Sequence, residues 1–274
     1  MAKPVKRIHV LVVILVLTVA LYFWLRRDLP LEDLSAPPAA PRSNWLTEKY
    51  GPKLYSQHNE ELIIRDFFND RRDGFFVDVG ANDYKVNSTT YYLEKHLNWR
   101  GLAVDAICAY GRDYLIYRKR TRFFCFFISD RSDAEADFYI NLENKRISTS
   151  DAELAEKQGE YDHVRVPTVT LDDLLTRLGV DRFDFLSLDI ELSEPVALAG
   201  FAIDRFRPAL VCVEAHRKVR EPILKYFEAH RYRRLSQYDA VDRLNYYFAS
   251  PYGDHVSGRA GQEAHILIDG SETK

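Results

Sequence analysis

Acidic side chains and a histidine follow directly on short apolar runs in this chain, and these residue types can take a proton from a hydroxyl. Asp189 and Glu191 come after the run from Phe183 to Leu188, and His216 lies two residues past Glu214. We take Asp189, Glu191 and His216, in that order, as candidate catalytic residues. The same residues with Glu214 could instead form an oxygen-rich site for a divalent metal. Acid–base chemistry is favoured, and no metal is predicted.

A loop that could hold a cofactor follows another short run, Phe75-Phe76-Val77-Asp78-Val79-Gly80-Ala81-Asn82. Such a run is too short for a helix and, bounded by glycine, is typical of a buried parallel strand. Gly80 has no Cβ and Ala81 has a small side chain, so the backbone can approach a ligand closely. Ligands bind beyond the carboxyl ends of such strands, so Asp78, Gly80, Ala81 and Asn82 are predicted to bind a cofactor.

The next predicted strand, Gly101 to Asp105, also ends in a carboxylate. Asp105 lies at about the distance from the first loop at which nucleoside-binding folds place an acid for the ribose hydroxyls. The dinucleotide pattern G-x-G-x-x-G is absent, which favours an adenosine without a pyrophosphate. Asp130, after a third strand, could accept from the adenine amino group or equally belong to a polar turn. Asp78 and Asp105 could likewise be turn formers, but two such acids in tandem favour a site.

The chain resembles the FkbM-type methyltransferases over roughly residues 54 to 250. The stretches that carry the resemblance are Phe75 to Asn82, Asn87 to Lys95, Val166 to Leu175, Asp184 to Glu191 and Arg207 to Glu214. It implies a Rossmann-like class I methyltransferase fold, S-adenosyl-L-methionine as cofactor, and methyl transfer to an oxygen of a small molecule, sugar or glycoconjugate.

One position separates this chain from the family pattern. After Asp189-Ile190-Glu191 the family usually has glycine, and here Leu192 stands in its place. A side chain where the backbone should pass close to a ligand motivates an alternative function, a non-catalytic binding or scaffold module that keeps the fold. An NAD-dependent oxidoreductase is a more distant possibility, because the glycine-rich fingerprint is missing.

Composition fits one enzyme-sized domain with an appendage. The chain has 274 residues, 46% of them hydrophobic, and a formal net charge of −3, which argues against nucleic acid as a partner. Its three cysteines, Cys108, Cys125 and Cys212, are odd in number and have no metal-ligand spacing, so free thiols without a disulfide framework are predicted.

The appendage is predicted to be a membrane anchor. Residues 8–25 form an apolar run between basic residues, and 18 helical residues span about 27 Å, close to the thickness of a bilayer core. A cleaved signal peptide is the alternative. We therefore divide the chain into an anchor (1–27) inserted in the lipid bilayer, a proline-rich linker (28–47) and a methyltransferase-like domain (48–274). The membrane face that carries the domain is left open, since the flanking charges nearly balance.

Within the domain, strand-like and helix-like segments alternate, which predicts an α/β fold with a mostly parallel sheet and helices on both faces. Arg122 to Ile128 is predicted as one strand, and Thr170 as the N-cap of a helix. The polar stretch Asn141 to Asp162 is predicted to be a solvated loop and surface helix. The segment Ser148 to Asp151 is the alternative there, as part of an acceptor pocket.

Overall fold

The computed structural model of the chain describes residues 45–253. Within that stretch, no helix combines the length and the apolar character that a bilayer crossing requires. The predicted anchor and nearly all of the predicted linker lie outside the described residues, so the membrane anchor stays a prediction.

Residues 45–253 form ten strands. They are β1 (Phe75–Val79), β2 (Arg100–Asp105), β3 (Thr121–Cys125), β4 (Phe127–Ile128), β5 (Glu135–Asn141), β6 (Tyr161–Val169), β7 (Phe185–Leu188), β8 (Leu210–Glu214), β9 (Arg233–Arg234) and β10 (Asn245–Ala249). Seven form the central sheet in the order β3-β2-β1-β7-β8-β10-β9. The first five of that order are parallel, and β10 runs antiparallel to both of its neighbours. The prediction of a mostly parallel sheet is confirmed.

Nine helices accompany the strands in the described part of the chain. They are α1 (Trp45–Tyr50), α2 (Glu60–Phe68), α3 (Tyr91–Leu97), α4 (Gly111–Tyr117), α5 (Ala152–Lys157), α6 (Leu171–Arg177), α7 (Glu194–Ala199), α8 (Ile203–Phe206) and α9 (Arg220–Ala229). Short 3₁₀ turns lie at Cys108–Tyr110, Lys145–Ile147 and Ser236–Tyr238. The predicted cap is present, because the Thr170 side chain accepts a hydrogen bond from the backbone N–H of Asp173.

The two faces of the sheet carry separate apolar cores, because successive side chains of a strand point to opposite faces. Phe76 packs with residues of α2 and α3 on one face. Its neighbour Val77 packs with residues of α6, α7 and α9 on the other face. Strands covered on both sides read as continuous apolar runs, which is why the sequence predicts them well.

A second, three-stranded sheet in the order β4-β6-β5 corrects two predictions. The predicted strand from Arg122 to Ile128 is interrupted at Phe126, and its last part, β4, leaves the central sheet to pair with β6. The polar stretch Asn141 to Asp162 contains the predicted surface helix, α5, but its last residues, Tyr161 and Asp162, begin β6. We call β4, β5 and β6 with the residues between them the insert sheet.

A disulfide joins Cys108 and Cys125, so the prediction that these are free thiols is wrong. The register of β2 and β3 sets Asp105 beside Cys125, and the turn after β2 brings the Cα atom of Cys108 within 4.9 Å of that of Cys125. The spacing of 17 residues along the chain does not reveal this proximity, which arises only from strand pairing. Cys212 is free and buried, as predicted.

Reduction of this disulfide should lower the free energy of unfolding by roughly 3 kcal/mol, the value for closing a loop of this length. The measurement is thermal unfolding of the full chain with and without a thiol reductant. The Cys108→Ser/Cys125→Ser double variant should no longer respond to the reductant, whereas Cys212→Ala should respond like the parent. Titration of three reactive thiols in the unfolded, unreduced parent would rule the disulfide out.

Candidate active site

Two adjoining cavities open at the carboxyl ends of the parallel strands. The strand order reverses beside β1, since β2 and β3 lie on one side of it and β7 and β8 on the other. Ligands of open α/β sheets bind in the crevice at such a point. The first cavity, about 470 Å³ and partly open to solvent, has Phe126, Phe127 and Ile107 in its wall. The second, about 740 Å³, is the polar cleft, lined mainly by amide, hydroxyl and carboxyl groups.

Gly80 fixes the approach of two strand ends. Its φ is +79°, and a Cβ at this position would overlap the backbone carbonyl oxygen of Asp189. The loop after β1 can therefore lie against the end of β7 only with glycine here. Gly80 lines both cavities, and its part in cofactor binding stays a prediction. We predicted that the missing side chain of Gly80 lets a ligand approach the backbone. In the structure it makes room for the backbone carbonyl of Asp189 instead.

Asp105 holds the cofactor loop in position and also faces the first cavity. Its Oδ2 accepts from the backbone N–H of Asn82 at 2.9 Å, and its Oδ1 accepts from that of Ile107 at 2.8 Å. Burial raises the pKa of Asp105 to about 6. Each carboxylate oxygen keeps capacity for a further hydrogen bond, so ribose hydroxyls can still be accepted. Asn82 also lines both cavities, while Ala81 lines the polar cleft and its carbonyl oxygen accepts from the Tyr114 hydroxyl at 3.0 Å.

The other two predicted cofactor residues differ in their surroundings. Asp78 is buried at the polar cleft, and its Oδ2 accepts from the Thr90 hydroxyl at 2.7 Å, which ties β1 to the start of α3. Burial raises the pKa of Asp78. Asp130 is exposed, pairs with Arg131 at 3.3 Å, and lines neither cavity. Its place in the wall is taken by Ile128, so the structure does not bring Asp130 to the site.

The three predicted catalytic residues lie together. Asp189 and Glu191 line both cavities, and Glu214 at the end of β8 lines the polar cleft. Nε2 of His216 lies 3.0 Å from Oε1 of Glu214 and 3.6 Å from Oε2 of Glu191. Parallel pairing of β7 and β8 brings these residues to one edge of the sheet. Sequence reasoning placed Glu214 at this edge but did not count it among the catalytic residues.

Carboxyl groups outnumber cations at this edge, and their pKa values reflect it. The pKa of Asp189 is raised well above its usual range, first by the surrounding protein atoms and then by the charges of Glu214 and Glu191. The residue is nevertheless exposed to solvent at the cleft, and that exposure weakens both effects. Burial raises the pKa of Glu191 and takes that of Glu194 to about 7. The hydrogen bonds that the His216 imidazole donates to Glu191 and Glu214 raise its pKa to about 10, so His216 is a cation at neutral pH. The raised pKa of Asp189 favours its protonated form relative to an ordinary aspartate.

The insert sheet positions Glu191 through its backbone. Glu191 and Leu192 have φ values of +50° and +77°, a left-handed turn that favours glycine at the second position. The Thr149 hydroxyl donates to the carbonyl oxygen of Glu191 at 2.8 Å, and the Ser150 and Ser193 hydroxyls are 2.7 Å apart. The segment Ser148 to Asp151 is thus attached to the site, with Thr149 buried, and the solvated-loop prediction is wrong there.

Leu192 does not obstruct the site. It lines neither cavity and packs against the apolar core beneath the turn. The family glycine is explained by the positive φ of this position, so Leu192 gives no evidence for lost ligand binding.

Two groups of site residues escaped sequence reasoning. Glu194 is fully buried in α7, with its Oε1 accepting from the backbone N–H of Ile190 at 3.1 Å. Lys145 and Arg146, from the insert sheet, line the first cavity, and Arg146 also lines the polar cleft. A strand-end pattern could not find them, because they reach the site from a helix and from a separate sheet.

The fold is a Rossmann-like α/β domain with a pocket of the nucleoside-binding type. Three features define it: the order of the strands, the glycine after β1 and the carboxylate at the end of β2. A sequence profile of the methyltransferase FkbM domain matches residues 78–234, more than half of the chain. The chain belongs to this family, and the resemblance stated from the sequence is confirmed. S-adenosylmethionine is the cofactor of the family. A comparison with curated proteins finds no match.

Two solved structures show weak overall similarity. One is a 1,6-didemethyltoxoflavin N1-methyltransferase of Burkholderia thailandensis with 1,6-didemethyltoxoflavin and S-adenosylhomocysteine, 16% identical, covering 69% of this chain and 74% of that chain, with a TM-score of 0.33. The other is a presumed methyltransferase of Thermobifida fusca, 13% identical, covering 80% and 96%, with a TM-score of 0.38. Similarity at this level leaves the acceptor of this chain open.

The residues of the first cavity fit S-adenosylmethionine. Asp105 retains acceptor capacity for the ribose hydroxyls, and Phe126, Phe127 and Ile107 offer an apolar wall for a flat base. The cofactor carries positive charge on its sulfonium and ammonium groups, and the carboxyl groups at the end of β7 can match that charge.

Asp105→Asn should weaken binding of S-adenosylhomocysteine by about 1–3 kcal/mol, because one oxygen acceptor is lost at a charged hydrogen bond. It should also lower the melting temperature, since the amide nitrogen cannot accept from Asn82 or Ile107. Calorimetric titration and thermal unfolding measure the two effects, with exposed Asp130→Asn as control. Equal affinity of both variants for S-adenosylhomocysteine would show that Asp105 does not bind the cofactor.

The ligand-free protein should lose stability as the pH rises from about 5 to 8. The pKa values of Asp105 (about 6), Glu194 (about 7) and His216 (about 10) all lie above the ordinary values of these groups. The folded state therefore binds more protons than the unfolded chain, and this stabilisation is lost as pH rises through the folded-state values. Urea unfolding across this range measures it, and Glu194→Gln should flatten the slope. Stability that increases with pH would contradict this account.

Proposed function

We propose that this protein is an S-adenosylmethionine-dependent O-methyltransferase that acts on a hydroxyl of a sugar or glycoconjugate. The observation that carries the proposal is the relation of the two cavities. An apolar-walled pocket around Asp105 and a polar cleft share Gly80, Asn82, Asp189 and Glu191 in their walls. A donor held in one cavity and an acceptor held in the other would meet at the shared carboxyl groups.

The lining of the polar cleft favours a polyol acceptor. Side chains that both donate and accept hydrogen bonds line it, namely Gln57, Asn87, Thr89 and Asn144. Hydroxyl groups also donate and accept, so these side chains can satisfy a sugar in several orientations. Arg146 adds a cationic group at the same wall, which would suit an acceptor that carries a carboxylate or phosphate.

Glu191 is the best-placed group to take the proton. S-adenosylmethionine supplies an electrophilic methyl carbon, and the acceptor oxygen forms its bond to that carbon as the carbon–sulfur bond breaks. The hydroxyl proton must pass to a base, and Glu191 is an ionisable carboxyl that lines both cavities. His216 is protonated at neutral pH and stabilises the Glu191 carboxylate, whereas burial and the neighbouring acidic groups raise the pKa of Asp189 well above its usual range, which favours Glu191 as the base and Asp189 as a group that orients the acceptor. The order proposed from the sequence is thereby revised.

Glu191→Gln should reduce kcat for methyl transfer by roughly 10²–10⁴-fold, the range for loss of a general base. Asp189→Asn keeps the size of the side chain and leaves Glu191 as the base, so we expect a loss of about tenfold or less. In the parent, kcat should fall as the pH drops through the raised pKa of Glu191. The assay is transfer of labelled methyl from S-adenosylmethionine to a glycan and lipid extract by the full chain.

Two results would count against this assignment. A larger loss in Asp189→Asn than in Glu191→Gln would restore Asp189 as the base. In the second, the parent protein binds S-adenosylhomocysteine in a calorimetric titration and yet transfers no methyl group in the assay. That result would favour the alternative function, a non-catalytic binding or scaffold module.

A further inference from the structure

Three potential metal ligands converge at the polar cleft. Nε2 of His216 lies 3.0 Å from Oε1 of Glu214 and 3.6 Å from Oε2 of Glu191. One ligand-type atom from each of the three residues lies within 4.8 Å of the others. Ligands about 2.1 Å from one ion are roughly 3 Å apart when adjacent and roughly 4 Å apart when opposite. Shifts of about 1 Å or less would therefore place all three atoms around a single ion.

Buried carboxylate oxygens at this place lack a donor. The Glu214 side chain is only 9% exposed, and no N–H or O–H group of the described residues donates to its Oε2. Oε2 of Glu194, which is fully buried, is in the same situation. An unpaired buried carboxylate oxygen is costly, and only a protonated neighbour such as the Asp189 carboxyl, which lies within hydrogen-bond reach of Glu214, could donate to this group. A cation bound beside Glu214 would supply a partner for its Oε2 without that proton.

We propose that Glu191, Glu214 and His216 bind one divalent cation of the first transition row, such as Mn²⁺. Carboxylates are typical ligands of Mn²⁺, and imidazole binds the transition ions of this row, so the mixed donor set fits this class. Binding of the ion would displace the proton that His216 carries at neutral pH and release it to solvent. Three protein ligands leave further coordination positions open, as in catalytic metal sites. Because Glu191 and Glu214 line the polar cleft, these positions face the acceptor.

The open positions suggest what the ion would recognise. Two neighbouring hydroxyl oxygens of a sugar could occupy adjacent positions, which makes a vicinal diol the acceptor class. Glu191 would bind the ion through Oε2, the atom nearest His216, and its Oε1 would remain to take the proton. This step rests on the proposed methyl transfer, whereas metal binding itself does not.

The test is a titration of the full chain with Mn²⁺ and no cofactor, followed by electron paramagnetic resonance of the free ion. The protein carries no polyhistidine tag and is first treated with a chelator. We expect one Mn²⁺ per chain, and about tenfold or greater weakening in both Glu191→Gln and His216→Gln. His163→Gln is the matched control, because His163 also pairs with a carboxylate, that of Asp137 at 2.9 Å, away from the cleft.

The outcomes separate this inference from the proposed function. Absence of stoichiometric binding, or equal affinity in the parent and all three variants, would overturn the metal site. Binding of S-adenosylhomocysteine and methyl transfer in chelator-treated protein would then leave the proposed methyltransferase function standing without a metal. Mn²⁺ binding that is lost only in Glu191→Gln and His216→Gln would support the site, even if no acceptor is methylated.

Discussion

Repulsion between carboxyl groups is the constraint around which this site is built. The pairing of β7 with β8 brings Asp189 and Glu214 to one edge, and the turn after β7 adds Glu191. At roughly 4–6 Å, like charges in a poorly solvated place shift pKa values by whole units. Three features reduce this repulsion: the His216 cation, the raised pKa of Asp189, and the backbone N–H that Glu194 accepts from. What remains uncompensated favours a cationic ligand, which is a property of both S-adenosylmethionine and a metal ion.

The carboxyl edge is held by backbone contacts from two directions. On one side, Gly80 lets the loop after β1 lie against the Asp189 carbonyl, and Asp105 fixes that loop through the N–H of Asn82. On the other side, Thr149 of the insert sheet holds the carbonyl of Glu191. The insert therefore does more than add surface for an acceptor. It orients the residue that we propose as the base, so changes in the insert can alter chemistry as well as specificity.

Local pattern was enough to predict the sheet, because its parallel strands are continuous apolar runs that end in acids or glycine. It also found the helix cap at Thr170 and the acidic residues that line the two cavities. It failed where distant segments meet. The pairing of Cys108 with Cys125 depends on strand register, and the split of the third strand depends on the insert sheet. Asp130 was misplaced for the same reason, since the chain turns away after β4.

Leu192 shows how a departure from a family pattern can be read through backbone geometry. With φ at +77°, the position would cost a leucine on the order of 1–2 kcal/mol relative to glycine. Its side chain packs against the core below the turn, and burial of apolar surface offsets part of that cost. The turn itself is held from the insert by Thr149 and from α7 by Glu194, independently of which residue occupies the position. Loss of the glycine therefore changes the stability of the turn and leaves the direction of Glu191, and with it the site, intact.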